Sequence, residues 1–299
     1  EKEAHFEGCH FRQAAFNNVR FKDRAFFSVL RTRKDGHRAT RFERADFSEA
    51  YFEKGGSFDG CLFWEADFGD ASIQYVSFDG VDLDNVRFAG AQMEFAYLAD
   101  ARWSALPGRS RLRRLPHYLS VSDERYVIRE ELDIPTSGDV EDRIEAYRAA
   151  EGTYRRIKHS LTNEGAYGMA GEFYIHEMRM KRDRYWHQRR YLKWLGFWIS
   201  ALMTGYGEKG RNVIMTALAI VAFYAIAYHA LGAISQDGGG THCPTLSECV
   251  YFSLVTFTTL GYGDYAPIAR YQLLAVSEAF IGAFMIALFV LVFGRKVMR

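Results

Sequence analysis

The sequence predicts a multi-domain chain: an N-terminal β-solenoid, an α-helical hairpin linker, and an all-α membrane portion with two spans. Three observations carry this expectation. Large apolar residues recur every five positions from residue 1 to about 105. Two apolar stretches, Arg211 to Ile234 and Tyr271 to Phe293, each exceed 20 residues, enough for a hydrocarbon core of ~30 Å. Between them lies Thr-Thr-Leu-Gly-Tyr-Gly-Asp-Tyr-Ala-Pro, residues 258–267, behind the short apolar-aromatic run Leu246 to Phe257. The net charge of +1 argues against a polyanion binder.

The five-residue period runs through Phe6, Phe11, Phe16, Phe21 and Phe26, then Phe42, Phe47 and Phe52. After one extra residue at Gly55-Gly56 it resumes at Phe58, Phe63, Phe68, Ile73, Phe78, Leu83, Phe88, Met93, Leu98 and Trp103. Small residues such as Cys9, Ala45, Cys61, Ala71 and Ala96 stand two positions before most of these, which makes Cys9 and Cys61 buried thiols. Five fits neither the helical period of 3.6 nor the strand period of 2. A chain that turns a corner every five residues satisfies it. The pattern resembles the pentapeptide-repeat proteins, which implies a right-handed quadrilateral β-helix. About eighteen repeats at four per coil would give a stack of roughly 20 Å. The chain opens inside a repeat, which leaves further coils ahead of it open.

The insertion Phe27 to Thr40 breaks the period and carries Arg31, Arg33, Lys34 and Arg38. It reads as a solvated excursion, with docking of an anion or acidic partner the sharper alternative. His5 and His10 lie five apart, too few for a metal site, and read as surface residues. From 106 to 183 a basic, Pro-punctuated connector leads into two helices. Tyr154, Ile157 and Leu161 form one apolar face, Asn163-Glu164-Gly165 stops it, and Tyr167, Ala170, Phe173 and Tyr174 begin another. That spacing is similar to one tetratricopeptide-type hairpin. A lone hairpin of this type needs something to pack on, so it is expected against the solenoid or a neighbouring subunit.

Residues 184–210 read as an amphipathic interfacial helix and a turn. Tyr191, Trp194, Leu195, Trp198 and Leu202 share one face, with Arg189, Arg190 and Lys193 opposite, as suits a helix lying on membrane lipid. It resembles the slide helix of two-span potassium channels. Gly205 to Gly210 (GYGEKG) matches a dinucleotide fingerprint by letter. No strand precedes it and no βαβ unit surrounds it, so it reads as a flexible turn.

Residues 211–299 divide into an outer helix (211–234), a pore helix (245–257), a loop (258–264) and an inner helix (268–298). Glycines alternating with Leu260 and Tyr262 suit a loop whose carbonyls turn to one side, since glycine reaches backbone angles that side chains forbid. Such a loop is tolerated at membrane depth only where it is buried in protein or lines a water-filled path. Thr259-Leu260-Gly261-Tyr262-Gly263-Asp264 resembles the selectivity filter of two-transmembrane potassium channels of prokaryotic type; the resemblance spans about 90 residues. One departure is Leu260, where the family usually has valine; it should change packing behind the filter more than ion choice.

The resemblance implies the roles. The carbonyls of Thr259, Leu260, Gly261 and Tyr262 would hold K⁺, the permeant ion, with the Thr259 hydroxyl innermost and Gly263 at the outer mouth; four chains around one axis would form a homotetramer. Thr258, Asp264, Tyr251 and Glu278 would support the filter, with Asp264 bonded to Tyr251. Glu278 is the only acid in the second span, and intramembrane acids are functional candidates by default. It is expected to bond a pore-helix hydroxyl such as Thr256 or Thr258, the alternative being a protonated packing residue. Gly282 resembles the inner-helix hinge. His229 reads as a lipid-interface or helix-contact residue. Cys243 and Cys249 flank Pro244 and leave a disulfide open.

Between the spans the sole basic residue is Arg270, whereas basic residues crowd before the first span and after the second. The positive-inside rule then puts both termini in the cytoplasm of a cell whose inner membrane holds the protein. No catalytic constellation, voltage-sensing series, nucleotide fold or organic cofactor motif is expected. Two rivals remain. One is a repeat scaffold merely anchored by the pore. The other is a DNA-mimicking topoisomerase ligand, disfavoured because the acidic excess of residues 40–105 (13 acidic, 5 basic) meets a basic residues 1–38 (9 basic, 5 acidic). A ligand or protein acting on the repeat domain, and no nucleic acid, is the expected partner.

Overall fold

The computed structural model describes residues 3–32, 36–106, 118–121, 123–124, 140–236 and 244–297. The chain forms two compact units, Glu1–Leu195 and Gly196–Arg299. In the first, short strands of two to six residues pair in parallel with the chain about one coil further on. Ala4 pairs with Ala25, Ala25 with Gly56, and Gly56 with Val76. Phe11 pairs with Phe42 and Phe42 with Phe63; further along, Ser77 bridges to Tyr97 and Asp82 to Arg102.

Phenyl rings stack inside this structure in four columns. Phe6, Phe27, Phe58 and Phe78 follow one another at 4.9, 4.8 and 5.3 Å. Phe16, Phe47, Phe68 and Phe88 do so at 4.9, 4.8 and 5.6 Å. Phe11-Phe42-Phe63 and Phe21-Phe52 complete the set. These spacings follow the ~4.8 Å separation of paired strands, so each ring rests on the one a coil below. Rings of adjacent columns meet edge-on, as Phe47 and Phe58 do at 84°, the other favourable aromatic geometry.

The expected inward position Phe26 is corrected to Phe27. Phe27 is fully buried in its column, whereas Phe26 lies outside against His5, with ring centroids 5.2 Å apart. The step Phe21 to Phe27 therefore carries the same extra residue as Phe52 to Phe58, and the two lengthened corners stack in register. The insertion also begins later than expected. Phe27 and Thr40 at its bounds are core, and between them Leu30–Thr32 and Gly36–Arg38 form an antiparallel hairpin. Thr40 Oγ1 accepts from the Gly8 N–H at 2.8 Å and so ties the hairpin's base to the first coil. Cys61 is buried, its thiol donating to the Phe27 carbonyl, while Cys9 is half-buried. His5 and His10 contact Glu7 and Glu43, and no group of His, Cys, Asp or Glu able to hold a metal occurs among the described residues.

Helices α1 (Val140–Asn163) and α2 (Tyr167–His187) form the hairpin, broken at Gly165 with φ +81°. They close one end of the solenoid. Ala150, Tyr154, Ile157, Leu161 and Phe173 belong to the same buried core as the repeat residues, and Trp103 meets Phe173 edge-on at 4.9 Å. An open final coil would present unpaired backbone groups. The hairpin and its approach answer several of them: Glu164 accepts from the Leu98 and Ala99 N–H groups at 2.7 and 3.0 Å, Ser160 donates to the Ala96 carbonyl, and Asp123 accepts from Phe88 N–H. The expected packing of the hairpin on the solenoid is thus observed. Its outer face is zipped by Arg155 between Glu151 and Glu177.

The amphipathic helix expected from residue 184 is corrected: α2 ends at His187 and α3 (Tyr191–Thr204) begins after a break in which Arg189 takes φ +55°. Arg184 instead belongs to the hairpin, paired with Glu151 at 2.8 Å. Along α3, Tyr191, Leu192, Leu195, Trp198, Ile199 and Leu202 are exposed. The second unit continues with α4 (Gly210–Leu231), α5 (Leu246–Phe257) and α6 (Gln272–Val297). The segments Gly210–Leu231 and Ala269–Arg295 are both long and apolar enough to cross a membrane.

Candidate ion-conduction site

Helix α5 is short and defined at both ends. Thr245 is its N-cap in a full capping box: the Thr245 hydroxyl accepts from Glu248 N–H and the Glu248 carboxylate from Thr245 N–H. At the other end Thr258 is the C-cap, its hydroxyl donating back to the Leu254 carbonyl at 2.7 Å. The Thr259 and Leu260 N–H groups fold onto the Thr256 and Val255 carbonyls. The helix therefore stops at the first residue of the Gly-rich loop, with the negative end of its dipole there.

The loop then alternates. Thr259, Gly261 and Gly263 have φ of +57°, +60° and +83°. Glycine accepts this conformation freely, but for the β-branched Thr259 it is an outlier of the kind that concentrates at functional sites. Sequence reasoning assigned the special backbone to the glycines and missed Thr259. Its hydroxyl donates to the Thr258 carbonyl at 2.7 Å, which leaves oxygen lone pairs free for a cation. Leu260 and Tyr262 are 61% and 68% exposed, so none of the described residues covers these side chains.

The loop's far end is tethered. Asp264 hydrogen-bonds the Tyr251 phenol. Ile234–Gln236 pairs antiparallel with Tyr265–Pro267, and Ile268 N–H donates to the Ala233 carbonyl at 2.9 Å. His229 bonds the Pro244 carbonyl at 3.0 Å, so it is a helix-contact residue. Cys249 is a buried free thiol, and its notional disulfide partner Cys243 lies outside the described residues.

Glu278 is fully buried behind α5, but not against the hydroxyls expected for it. It bonds Ser253 of α5 and Tyr228 of α4, the latter at 2.6 Å, whereas Thr258 bonds its own helix. Cys249, Ser253 and Phe257 recur every four residues and form the buried face of α5; this spacing was the available signal. One turn below Glu278 stands Gly282, where a Cβ would lie 2.0 Å from the Phe257 carbonyl oxygen. Helix α6 thus touches the last turn of α5 backbone to backbone.

Further down α6, Val292 packs with Val213 and Met285. Arg295 reaches Glu208 at 3.7 Å, and Gly210 leaves room for Phe293. The Gly205–Gly210 turn, expected to be flexible, is fastened here and by Gly207 N–H on Thr204 Oγ1.

Two apolar helices of membrane length bracket a half-length helix and a loop whose backbone alternates through left-handed conformations. Comparison with known families agrees: residues 213–299 match the family described as ion channel, and residues 57–90 and 66–102 match the family described as pentapeptide repeats (8 copies). The chain is thus similar to ion channels over its C-terminal part and to pentapeptide-repeat proteins over residues 57–102. No curated protein and no solved structure matches it.

Proposed function

We propose that the protein is a potassium-selective channel assembled from four copies, with its repeat region a right-handed, four-sided β-helix on the cytoplasmic side. The observation that carries the reading is the loop 258–264: a pore helix aims its C-terminus at a segment whose backbone alternates through left-handed conformations at Thr259, Gly261 and Gly263. One such strand offers one oxygen per layer, and a desolvated K⁺ requires a cage, so four strands around an axis are needed. The exposure of Leu260 and Tyr262 in one chain supports the same assembly, since these side chains need neighbours in a membrane. The carbonyls of Thr259, Leu260, Gly261 and Tyr262 hold the ion, Gly263 faces the outer mouth, and Tyr251, Thr258, Asp264 and Glu278 keep the strand in place. Both termini are cytoplasmic, because basic residues crowd the segments before α4 and after α6. The repeat domain receives a ligand or protein signal and passes it through the hairpin and α3.

The test is ion flux through purified protein in liposomes, with a K⁺ gradient against a Na⁺ gradient and Ba²⁺ as blocker. K⁺-selective, Ba²⁺-sensitive flux is expected. Equal K⁺ and Na⁺ flux would refute the selectivity, and silence under every condition would favour a repeat scaffold that uses α4 to α6 only as an anchor.

A further inference from the structure

Glu278 lies at a node of three helices, and its hydrogen bonds define a proton inventory. Its Oε2 accepts from the Tyr228 hydroxyl of α4 at 2.6 Å. Its Oε1 stands within hydrogen-bond distance of Ser253 Oγ on α5. The same Ser253 Oγ is 3.0 Å from the Val221 carbonyl of α4. Ser253 has one proton for two oxygen neighbours, and the Val221 carbonyl can only accept. An ionised carboxylate would leave one of those two contacts without a proton. A neutral carboxyl closes the chain: Glu278 donates to Ser253, Ser253 donates to Val221, and Tyr228 donates to Glu278.

The surroundings point the same way. Glu278 is fully buried, and among the described residues no cationic side chain pairs with it. The polar groups on the elements around it are Tyr228 and Tyr224 of α4, Ser253 of α5 and Ser277 of α6, with Tyr224 and Ser277 bonded to each other at 2.8 Å. Isolated charge at membrane depth is costly, whereas a fully satisfied neutral network specifies one arrangement.

The geometry points to Glu278 as a neutral positioning residue that fixes the pore helix, and through it the filter, to both membrane-spanning helices. Ser253 lies five residues before Thr258, and Gly282 seats on the Phe257 carbonyl one turn further along α6. The inner helix is therefore keyed to the pore helix at two places a turn apart. From Glu278 to Gly282 it belongs to the filter's scaffold, and bending that opens the pore falls below this stretch. This rests on the channel reading above, but its chemistry can be tested apart from it.

Glutamine is the isostere of a neutral carboxyl, since its NH₂ donates to Ser253 and its carbonyl accepts from Tyr228. In proteoliposomes, Glu278→Gln should keep the wild-type K⁺/Na⁺ flux ratio within about twofold, while Glu278→Ala should lower it about tenfold or more. Ser253→Ala and Tyr228→Phe should each fall between. An infrared difference spectrum, wild type minus Glu278→Gln, should carry the C=O stretch of a protonated carboxyl. The proposal is overturned if Glu278→Gln behaves like Glu278→Ala, or if the difference spectrum shows ionised carboxylate bands. The spectrum decides even where Glu278→Ala does not assemble. A wild type without selective flux would sink the channel reading and leave the infrared result to judge the node.

Discussion

Gly282→Ala separates two reasons for a glycine in the inner helix. A Cβ at this position would lie 2.0 Å from the Phe257 carbonyl oxygen and 2.8 and 2.9 Å from its carbonyl and α carbons. All three are backbone, so no rotamer change relieves the contact. Restoring ordinary van der Waals separation requires α5 and α6 to part by more than ~1 Å, and overpacking of this kind costs about 1–3 kcal/mol. Alanine in place of glycine returns up to about 1 kcal/mol of helix propensity, which leaves a net penalty of up to about 2 kcal/mol per subunit. Because Phe257 is the last helical residue before Thr258, the displacement falls on the filter. On the proposed reading, the expected result is an assembly that melts several degrees lower in detergent and a reduced K⁺/Na⁺ flux ratio. An alanine variant with unchanged melting and selectivity, but slowed opening, would refute close approach as the reason for the glycine and favour a hinge.

The shifted repeat register predicts that Phe27→Ala costs about 3–5 kcal/mol, as for any fully buried phenylalanine, and Phe26→Ala under about 1 kcal/mol, by chemical denaturation; the reverse order would restore the unshifted register. Burial raises the Asp123 carboxyl pKa, against the lowering effects of the Phe88 N–H and Arg87. Its folded pKa thus lies above the unfolded one, so its favourable contribution is complete below the unfolded pKa and is lost as pH rises through the folded one. Asp123→Asn, which keeps an acceptor for Phe88, should raise the melting temperature at neutral pH, with the gain shrinking on acidification; a gain that grows in acid would contradict the burial argument.

What the sequence made legible is what repeats or punctuates. The five-residue ladder from Phe58 to Trp103 holds position by position, because each place needs one large side chain of one orientation. The lengthened corner at Gly55-Gly56 was visible because glycines interrupt the pattern. Its twin was not, since Phe26 and Phe27 are chemically identical and only stacking on Phe6 and Phe58 decides between them. Likewise α5 was legible from its apolar-aromatic run and the Gly-rich loop after it, but the partner of Glu278 was not. Which hydroxyl meets a residue 25 positions away depends on the face α5 presents, and the small Ser253 gave less sign of it than two threonines beside the filter. The break at 188–190 contains neither glycine nor proline; Arg189 adopts a left-handed backbone that its residue type does not announce.

The cap also changes how control of the pore should be tested. Removing residues 1–105 takes away the repeats alone, yet the last coil is what covers Ala150, Tyr154, Ile157 and Leu161, each fully buried. Exposing a large apolar side chain costs about 1.5–3 kcal/mol, so uncovering Tyr154, Ile157 and Leu161 together removes more than a lone hairpin is able to lose. That deletion should yield an aggregating protein with a protease-sensitive hairpin, and its effect on flux would then report misfolding. Removing residues 1–187 uncovers no fully buried side chain of α3, which starts afresh at Tyr191, and gives up the Trp186 and Tyr185 ring contacts with Tyr191, Lys193 and Trp194. If the repeat domain restrains the pore, the chain beginning at Gln188 should conduct without its signal while the full chain does not. A monodisperse, protease-resistant protein after deletion of 1–105 would show that the hairpin folds without the coil it caps, and the solenoid and hairpin would then be separable devices.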